Sequence, residues 1–344
     1  MAGRTVSFTT FNLLNLNEPG LPIYRDRDGW DADIHARKIA WTGAKLQEMQ
    51  ADVFGFQELW HADSLTAALA AAGLGDSHVA VAPPGQSGQR IVCAAAVARD
   101  IMVGTPEWIT DFPDDFILQS SGDDPQTSEI EVKISTFSRP VLRFEIKPRS
   151  DGPVVSVYVC HFKSKAPTQI WREGWYDKDI HSRHRDAIGA GLSTIRRTAE
   201  ATALRMILTE EMKDTDRPVV VLGDCNDGQL SNTLNIMTGQ PRFLTGLREG
   251  GGDTALYTAQ TLQQLRSTTD VYYTHVYQDI RESLDHILVS QEFYDMSRRR
   301  IWAFDGLEIA NDHLNDDNHK ETGTGDHGVV RARFRYSPTS AAVV

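Results

Sequence analysis

Cysteine is scarce in this chain: three in 344 residues, Cys93, Cys160 and Cys225, with no CxxC pair. That excludes a disulfide framework and a four-thiolate zinc site, and the three read as buried free thiols. Long apolar runs are also missing, since stretches such as Ile91 to Ala98 fall far short of the roughly 20 residues that cross a bilayer. No transmembrane segment is expected. The first dozen residues hold no apolar core of a signal peptide, so the chain as it stands reads as cytoplasmic, or as secreted or periplasmic if a leader has been removed. No repeat of 20 to 50 residues and no low-complexity tract occurs, which argues against solenoids and arrays. Basic excess is absent as well: 35 Lys and Arg against 47 Asp and Glu leave a net charge of −12. A protein that coats nucleic acid through phosphate neutralisation is therefore not expected, although a phosphate substrate held through a metal is not excluded.

Two common nucleotide and cation motifs fail on inspection. Gly85-Gln-Ser-Gly88 lacks the Gly-Lys-Ser/Thr or GxGxxG context and reads as a turn. In Asp224-Cys-Asn-Asp-Gly228 the glycine is fifth instead of sixth and no Glu follows at the twelfth position, so it is no EF-hand.

What is present is an alternation of strands and helices. Val6, Phe8 and Thr10 alternate into Asn12, and Ala36, Ile39, Leu46 and Met49 keep one face of a helix from about Asp33 to Gln50. Strands are expected at Val53–Gln57, His78–Ala82, Ile91–Val97, Val141–Ile146, Val154–Val159, Val219–Leu222, Ser283–Val289 and Val329–Phe334, with helices at Ser64–Ala72 and about Arg185–Met212. No Pro/Gly/Ser linker divides two halves. The expectation is one domain over residues 1–344, α/β in class, with two packed sheets and surface insertions near 105–137 and 163–184.

Polar ionisable residues stand repeatedly where an apolar strand runs out, at Asn12, Glu58, His161, Asp224 with Asn226, Asp285, and Asp326 with His327. Rigid strand ends are a good platform for a site. Taken singly, each has a plain explanation as a turn cap or a solvated residue. Together they supply hard oxygen ligands suited to Mg²⁺ or Mn²⁺ and two histidines for proton transfer and charge stabilisation. Hydrolysis of a phosphate ester needs that combination.

The motifs Thr10-Phe-Asn12, Phe56-Gln-Glu58, Cys160-His-Phe-Lys-Ser164, Gly223-Asp-Cys-Asn226, Ser283-Leu-Asp-His286 and Gly325-Asp-His327 occur in the order of the endonuclease/exonuclease/phosphatase superfamily. The resemblance is deoxyribonuclease-like and spans nearly the whole chain. In motif style it is similar to the bacterial extracellular-type nucleases. It implies a four-layer α/β sandwich, two packed mixed β-sheets flanked by helices. It also implies Glu58 as principal metal ligand, Asn12 beside it and Asp326 lending negative charge, around one divalent cation, Mg²⁺ or Mn²⁺. Asp224 resembles the residue that orients or deprotonates the attacking water, and Asn226 the one that contacts the phosphate or positions Asp224. His327, held by Asp285, would stabilise transition-state charge as a cation, and His161 would protonate the leaving oxygen. Two departures stand out: Leu14 occupies a position that is acidic in many nuclease members, and no carboxylate partner for His161 occurs in Gln89 to Val97.

From Lys163 to Arg197 there are eight Lys/Arg and four Asp/Glu, with Trp171, Trp175, His181 and His184 among them. This stretch could hold phosphates and stack bases, or its Trp residues could pin a loop and its Arg residues face solvent. Lys163, nearest to His161, is the expected substrate contact. The run Asn311 to His319 reads as a solvated loop that shapes the cleft or holds a second cation. The leading expectation is a metal-dependent phosphodiesterase acting on a phosphodiester substrate, nucleic acid in first place, with no protein partner implied. A phosphatase or a phosphoinositide- or sphingomyelin-type lipid phosphodiesterase shares the scaffold, and a noncatalytic binding module is the third reading.

Overall fold

The computed structural model describes residues 4–24, 27–122, 126–241, 251–267 and 273–339. In chain order they form β1 (Thr5–Leu16), α1 (Ala32–Met49), β2 (Val53–His61), α2 (Ala62–Ala71), β3 (His78–Val81), β4 (Ser87–Ala98), β5 (Met102–Asp111), β6 (Gln119–Ser120), β7 (Ile130–Glu131), β8 (Thr136–Ile146), β9 (Val155–His161), α3 (Lys178–His181), α4 (Arg185–Met212), β10 (Val219–Asp224), α5 (Asn232–Thr238), β11 (Tyr257–Thr258), α6 (Ala259–Gln264), β12 (His275–Tyr277), β13 (Ile280–Glu282), β14 (Asp285–Val289), β15 (Trp302–Ala310), α7 (His319–Thr322) and β16 (Val329–Tyr336).

Two mixed sheets of six strands carry the fold, ordered β15-β16-β1-β2-β4-β3 and β11-β14-β10-β9-β8-β5. Each contains one parallel pair, β1 with β2 and β9 with β10. The long helices α1 and α4 make those crossovers, as parallel neighbours require. Strands buried on both faces read as continuous apolar runs, which is why Val219-Val-Val-Leu222 has no polar alternation. Between the sheets, Val6, Phe8, Val53 and Val97 meet Leu142, Val157, Val220 and Ile287. At Gly55 the sheets approach so closely that a Cβ would lie 2.9 Å from Leu222 Cδ1. The outer faces are covered by α1 and α2 on one side and by α4 and α5 on the other. The result is the four-layer sandwich, helices outside and two sheets inside. Among the described residues no helix is long and apolar enough to cross a membrane.

The structure adds three features to the expected elements. The segment expected as a surface excursion from Thr105 begins inside β5, the edge strand paired with β8, and Phe112 and Phe137 are buried with α4. β15, which pairs with β16, has no counterpart among the expected strands, because a register shift between Phe304 and Gly306 breaks its alternation. β12 and β13 form a hairpin whose two turn residues, Gln278 and Asp279, have φ of 49° and 65°, as a two-residue turn matched to strand twist requires.

Candidate active site

Strand direction gathers the polar residues on one edge. Asn12, Glu58, His161 and Asp224 lie at the carboxyl ends or late turns of β1, β2, β9 and β10. β14 and β16 run antiparallel to β10 and β1, so Asp285 and the residues just before β16, Asp326 and His327, reach the same edge from their amino ends. Register places Asp224 beside His161 on one flank and beside Asp285 on the other. His161, Asp224, Asp285 and His327, all distant from Asn12 in sequence, thus gather at one edge.

Local backbone aims the side chains. β1 is irregular after Asn12, with Leu14 and Asn15 at positive φ. Leu14 N–H then donates to Asn12 Oδ1 at 2.9 Å, and Asn15 N–H to Glu58 Oε2 at 3.0 Å. Glu58 and Asn226 themselves have φ of 61° and 52°, left-handed conformations that non-glycine residues hold at some cost and that cluster at functional sites.

At the centre sits the buried Asp224. Its Oδ2 accepts from Asn12 Nδ2 at 3.1 Å and lies 3.6 Å from His161 Nε2 and 3.9 Å from His327 Nε2. Its Oδ1 accepts from Asn226 N–H at 2.9 Å. The Asn226 side-chain amide donates instead to the Phe162 carbonyl at 3.0 Å. His327 Nδ1 and Asp285 Oδ2 are 2.8 Å apart, and the His275 ring lies against the His327 ring with centroids 4.9 Å apart. His161, without a partner in Gln89 to Val97, finds carboxylates across the site: Glu58 Oε1 is 3.9 Å from its Nε2. Of the expected site residues, Glu58, His161, Asp224, Asn226 and His327 line one cavity of about 470 Å³. Lys163 does not; it lines a neighbouring cavity.

Electrostatics divide the two histidines. Burial opposes charge on His327, yet Asp285 and Asp224 outweigh it and hold the imidazole well above its usual range. For His161, burial and then the cations Arg139, His327 and Lys163 push it well below that range, despite carboxylates at 3.6 and 3.9 Å. Neither contact is close enough for a hydrogen bond, so burial and the neighbouring cations prevail and disfavour a charged His161. Burial, with Asp285 and Glu58 nearby, pushes the Asp224 carboxyl up, and burial with Asp326 does the same to Glu58.

These buried, mutually repelling carboxylates fit a cation. Asp326 Oδ1 and Asp285 Oδ1 are buried with no hydrogen-bond partner, and ligand atoms of Asp224, Asp285 and His327 come within 4.8 Å of one another. In that trio Asp285 Oδ2 already holds His327, and a protonated imidazole cannot ligate. The oxygen set around Glu58, Asn12 and Asp326 fits a hard divalent cation better.

Four residues of the site went unseen in the sequence. Arg139 lines the cavity because β8 runs antiparallel to β9, so its first residues share the edge with the end of β9. Polar residues where strands begin, as in Ser138-Arg139-Pro140, are the signal that could have found it. Tyr24 and His275 also line the cavity. Lys38, on α1, is fully buried with Nζ unpartnered by any hydrogen bond and 5.0 Å from the Trp30 ring centroid. In the stretch 163–197, Trp171 and Trp175 are about half exposed and Ile170 is the buried anchor. Arg197 is buried against Asp227 at 3.3 Å, and Lys165 pairs with Glu282 at 2.7 Å. The run Asn311 to His319 folds as a 3-10 turn and the start of α7, with His313 Nε2 2.8 Å from the His327 carbonyl.

The comparisons agree with this fold. The chain is similar to an endonuclease/exonuclease/phosphatase family protein of Bacteroides thetaiotaomicron (15% identity, 97% of this chain and 99% of that one, TM-score 0.55). It is likewise similar to a mannosyl-6-phosphatase of Bacteroides thetaiotaomicron (14%, 96% and 100%, TM-score 0.54) and to the catalytic domain of human Nocturnin (14%, 98% and 97%, TM-score 0.54). No curated protein matches the chain. The profile of the Endonuclease/Exonuclease/phosphatase family matches residues 9–327, so the chain belongs to that family and is a phosphoester hydrolase.

Proposed function

We propose that this protein is a divalent-metal-dependent phosphodiesterase that hydrolyses nucleic acid by in-line attack of water. The observation that carries the reading is the position of Asp224, which is buried between Asn12, His161 and His327 while Asp285 holds the far nitrogen of His327. Glu58, Asn12 and Asp326 would hold Mg²⁺ or Mn²⁺, which when bound supplies Lewis-acid stabilisation of phosphate charge.

Asp224 orients the attacking water and receives its proton, with Asn12 and the Asn226 N–H fixing the carboxylate. Asn226 therefore acts by positioning, its amide being committed to Phe162. His327, as an imidazolium, donates from Nε2 to a non-bridging oxygen as charge builds in the transition state. His161, held towards its neutral form by burial and by Arg139, His327 and Lys163, serves as a hydrogen-bond donor to the phosphate, and the leaving oxygen takes its proton from solvent water. Arg139 adds a fixed positive charge to the cavity wall.

The test is an activity panel of plasmid, single-stranded DNA, RNA, bis-p-nitrophenyl phosphate and a monoester, each with Mg²⁺, Mn²⁺, Ca²⁺ and EDTA. Metal-dependent diester cleavage is expected. Monoester cleavage without diester cleavage would turn the assignment to a phosphatase, and turnover in EDTA would remove the metal from it.

A further inference from the structure

Next to the catalytic cavity lies a second one of about 720 Å³, and Tyr24 and Arg139 line both. Its walls carry three cations, Arg90, Arg139 and Lys163, and no carboxylate, in a chain whose net charge is −12. None of the three forms an ion pair with a carboxylate of the described residues, unlike Arg197 and Lys165, which the local fold consumes. Aromatic surface completes the walls: Tyr24 and Trp60 meet edge to face at 5.2 Å, and Trp60 is fixed by its Nε1 donating to Asn15 Oδ1 at 2.9 Å. Arg139 is held in place by donating to the Phe162 carbonyl at 3.3 Å. On its other side the catalytic cavity is walled by the β12–β13 hairpin, tied down where Lys165 meets Glu282. The Tyr24–Arg139 wall is thus common to the two cavities.

We propose that this second cavity binds the phosphate adjacent to the scissile one on a single nucleic-acid strand, its base resting against Tyr24. Unpaired cations beside aromatic faces are the chemistry that recognises a phosphate with a planar base. The proposal rests on the phosphodiesterase reading above, and it makes the substrate an oligonucleotide strand instead of an isolated phosphoester.

Arg90 is exposed, so Arg90→Gln should leave the fold intact, which circular dichroism checks. Binding of fluorescein-labelled trithymidylate is measured by anisotropy in EDTA across a salt series. Arg90→Gln should weaken binding about five- to tenfold and reduce the salt slope by about 0.7, the value for one phosphate contact on a single strand. The ratio of kcat/KM for trithymidylate to that for bis-p-nitrophenyl phosphate should fall by a similar factor. Equal binding and an equal salt slope in wild type and Arg90→Gln would overturn the proposal. So would a wild-type protein that cleaves bis-p-nitrophenyl phosphate yet does not bind trithymidylate, a result that leaves the phosphodiesterase reading standing. Failure to cleave any diester would sink that reading instead, while the binding series still decides the cavity.

Discussion

His327 Nδ1 lies 2.8 Å from Asp285 Oδ2, with both side chains buried at the edge where two sheets meet. Breaking such a pair by removing one partner leaves the other without its counter-charge. Asp285→Asn should therefore lower kcat on a diester about 10²- to 10³-fold, the cost of a lost electrostatic donor. The sign of the pH effect follows from the raised range of His327. Activity that needs the imidazolium is lost as pH rises through its titration, so in Asp285→Asn the alkaline limb of the kcat profile should move to lower pH. An unmoved limb would show that His327 does not act as a cation.

Glu58 stands in a left-handed backbone conformation with Asn15 N–H on its carboxylate. Glu58→Gln removes the charge and keeps the shape. Titration calorimetry should show Mg²⁺ affinity reduced at least tenfold, and EDTA should abolish wild-type turnover reversibly. Retained Mg²⁺ affinity in this variant would show that Glu58 is not the principal ligand.

Lys38 is a buried ammonium whose range burial pushes down to about 8, against the opposing pull of Asp326 and Glu58. It offsets the charge of those carboxylates from within the helix layer. With Lys38→Met they face a bound cation without that competitor, so Mg²⁺ should bind severalfold more tightly and raise Tm more than in wild type. Equal Mg²⁺-induced gains in the two proteins would reduce Lys38 to a packing residue.

Away from the site, burial pushes the Glu292 carboxyl up to about 7, against the hydrogen bond that Ser290 Oγ donates to it at 2.5 Å. A carboxyl raised in the folded state contributes stability that is complete at pH below about 4.5 and lost as pH climbs through about 7. The term amounts to roughly 3 kcal/mol at most. Wild-type Tm should decline between pH 5 and 8 by an increment that Glu292→Gln removes, as thermal denaturation across that range would show.

Along the chain, the alternation of strands and helices already points to two packed sheets, and the resemblance of its motifs adds the four-layer sandwich and the candidate site residues. Uninterrupted runs such as Val219-Val-Val-Leu222, and the 28-residue helical pattern of α4, follow local periodicity that any solvent-excluded layer imposes. The strand-end residues Glu58, His161 and Asp224 were legible for the same reason: a polar group ending an apolar run stands out along the chain. Which groups face one another depends on strand pairing and sheet packing, which leave no local trace along the chain. Arg139 and Arg90 precede apolar runs instead of ending them, and antiparallel pairing alone carries them to the site's edge. The basic stretch from Lys163 to Arg197 left open a phosphate-holding element or a pinned loop with a solvated helix face, and folding pairs Arg197 with Asp227 and Lys165 with Glu282. Formal charge is a property of the sequence; unpaired charge depends on what the fold places within 4 Å. Among the described residues, Arg90 on β4, Arg139 on β8 and Lys163 just past β9 bring cations without a carboxylate partner to the cavity beside the catalytic one.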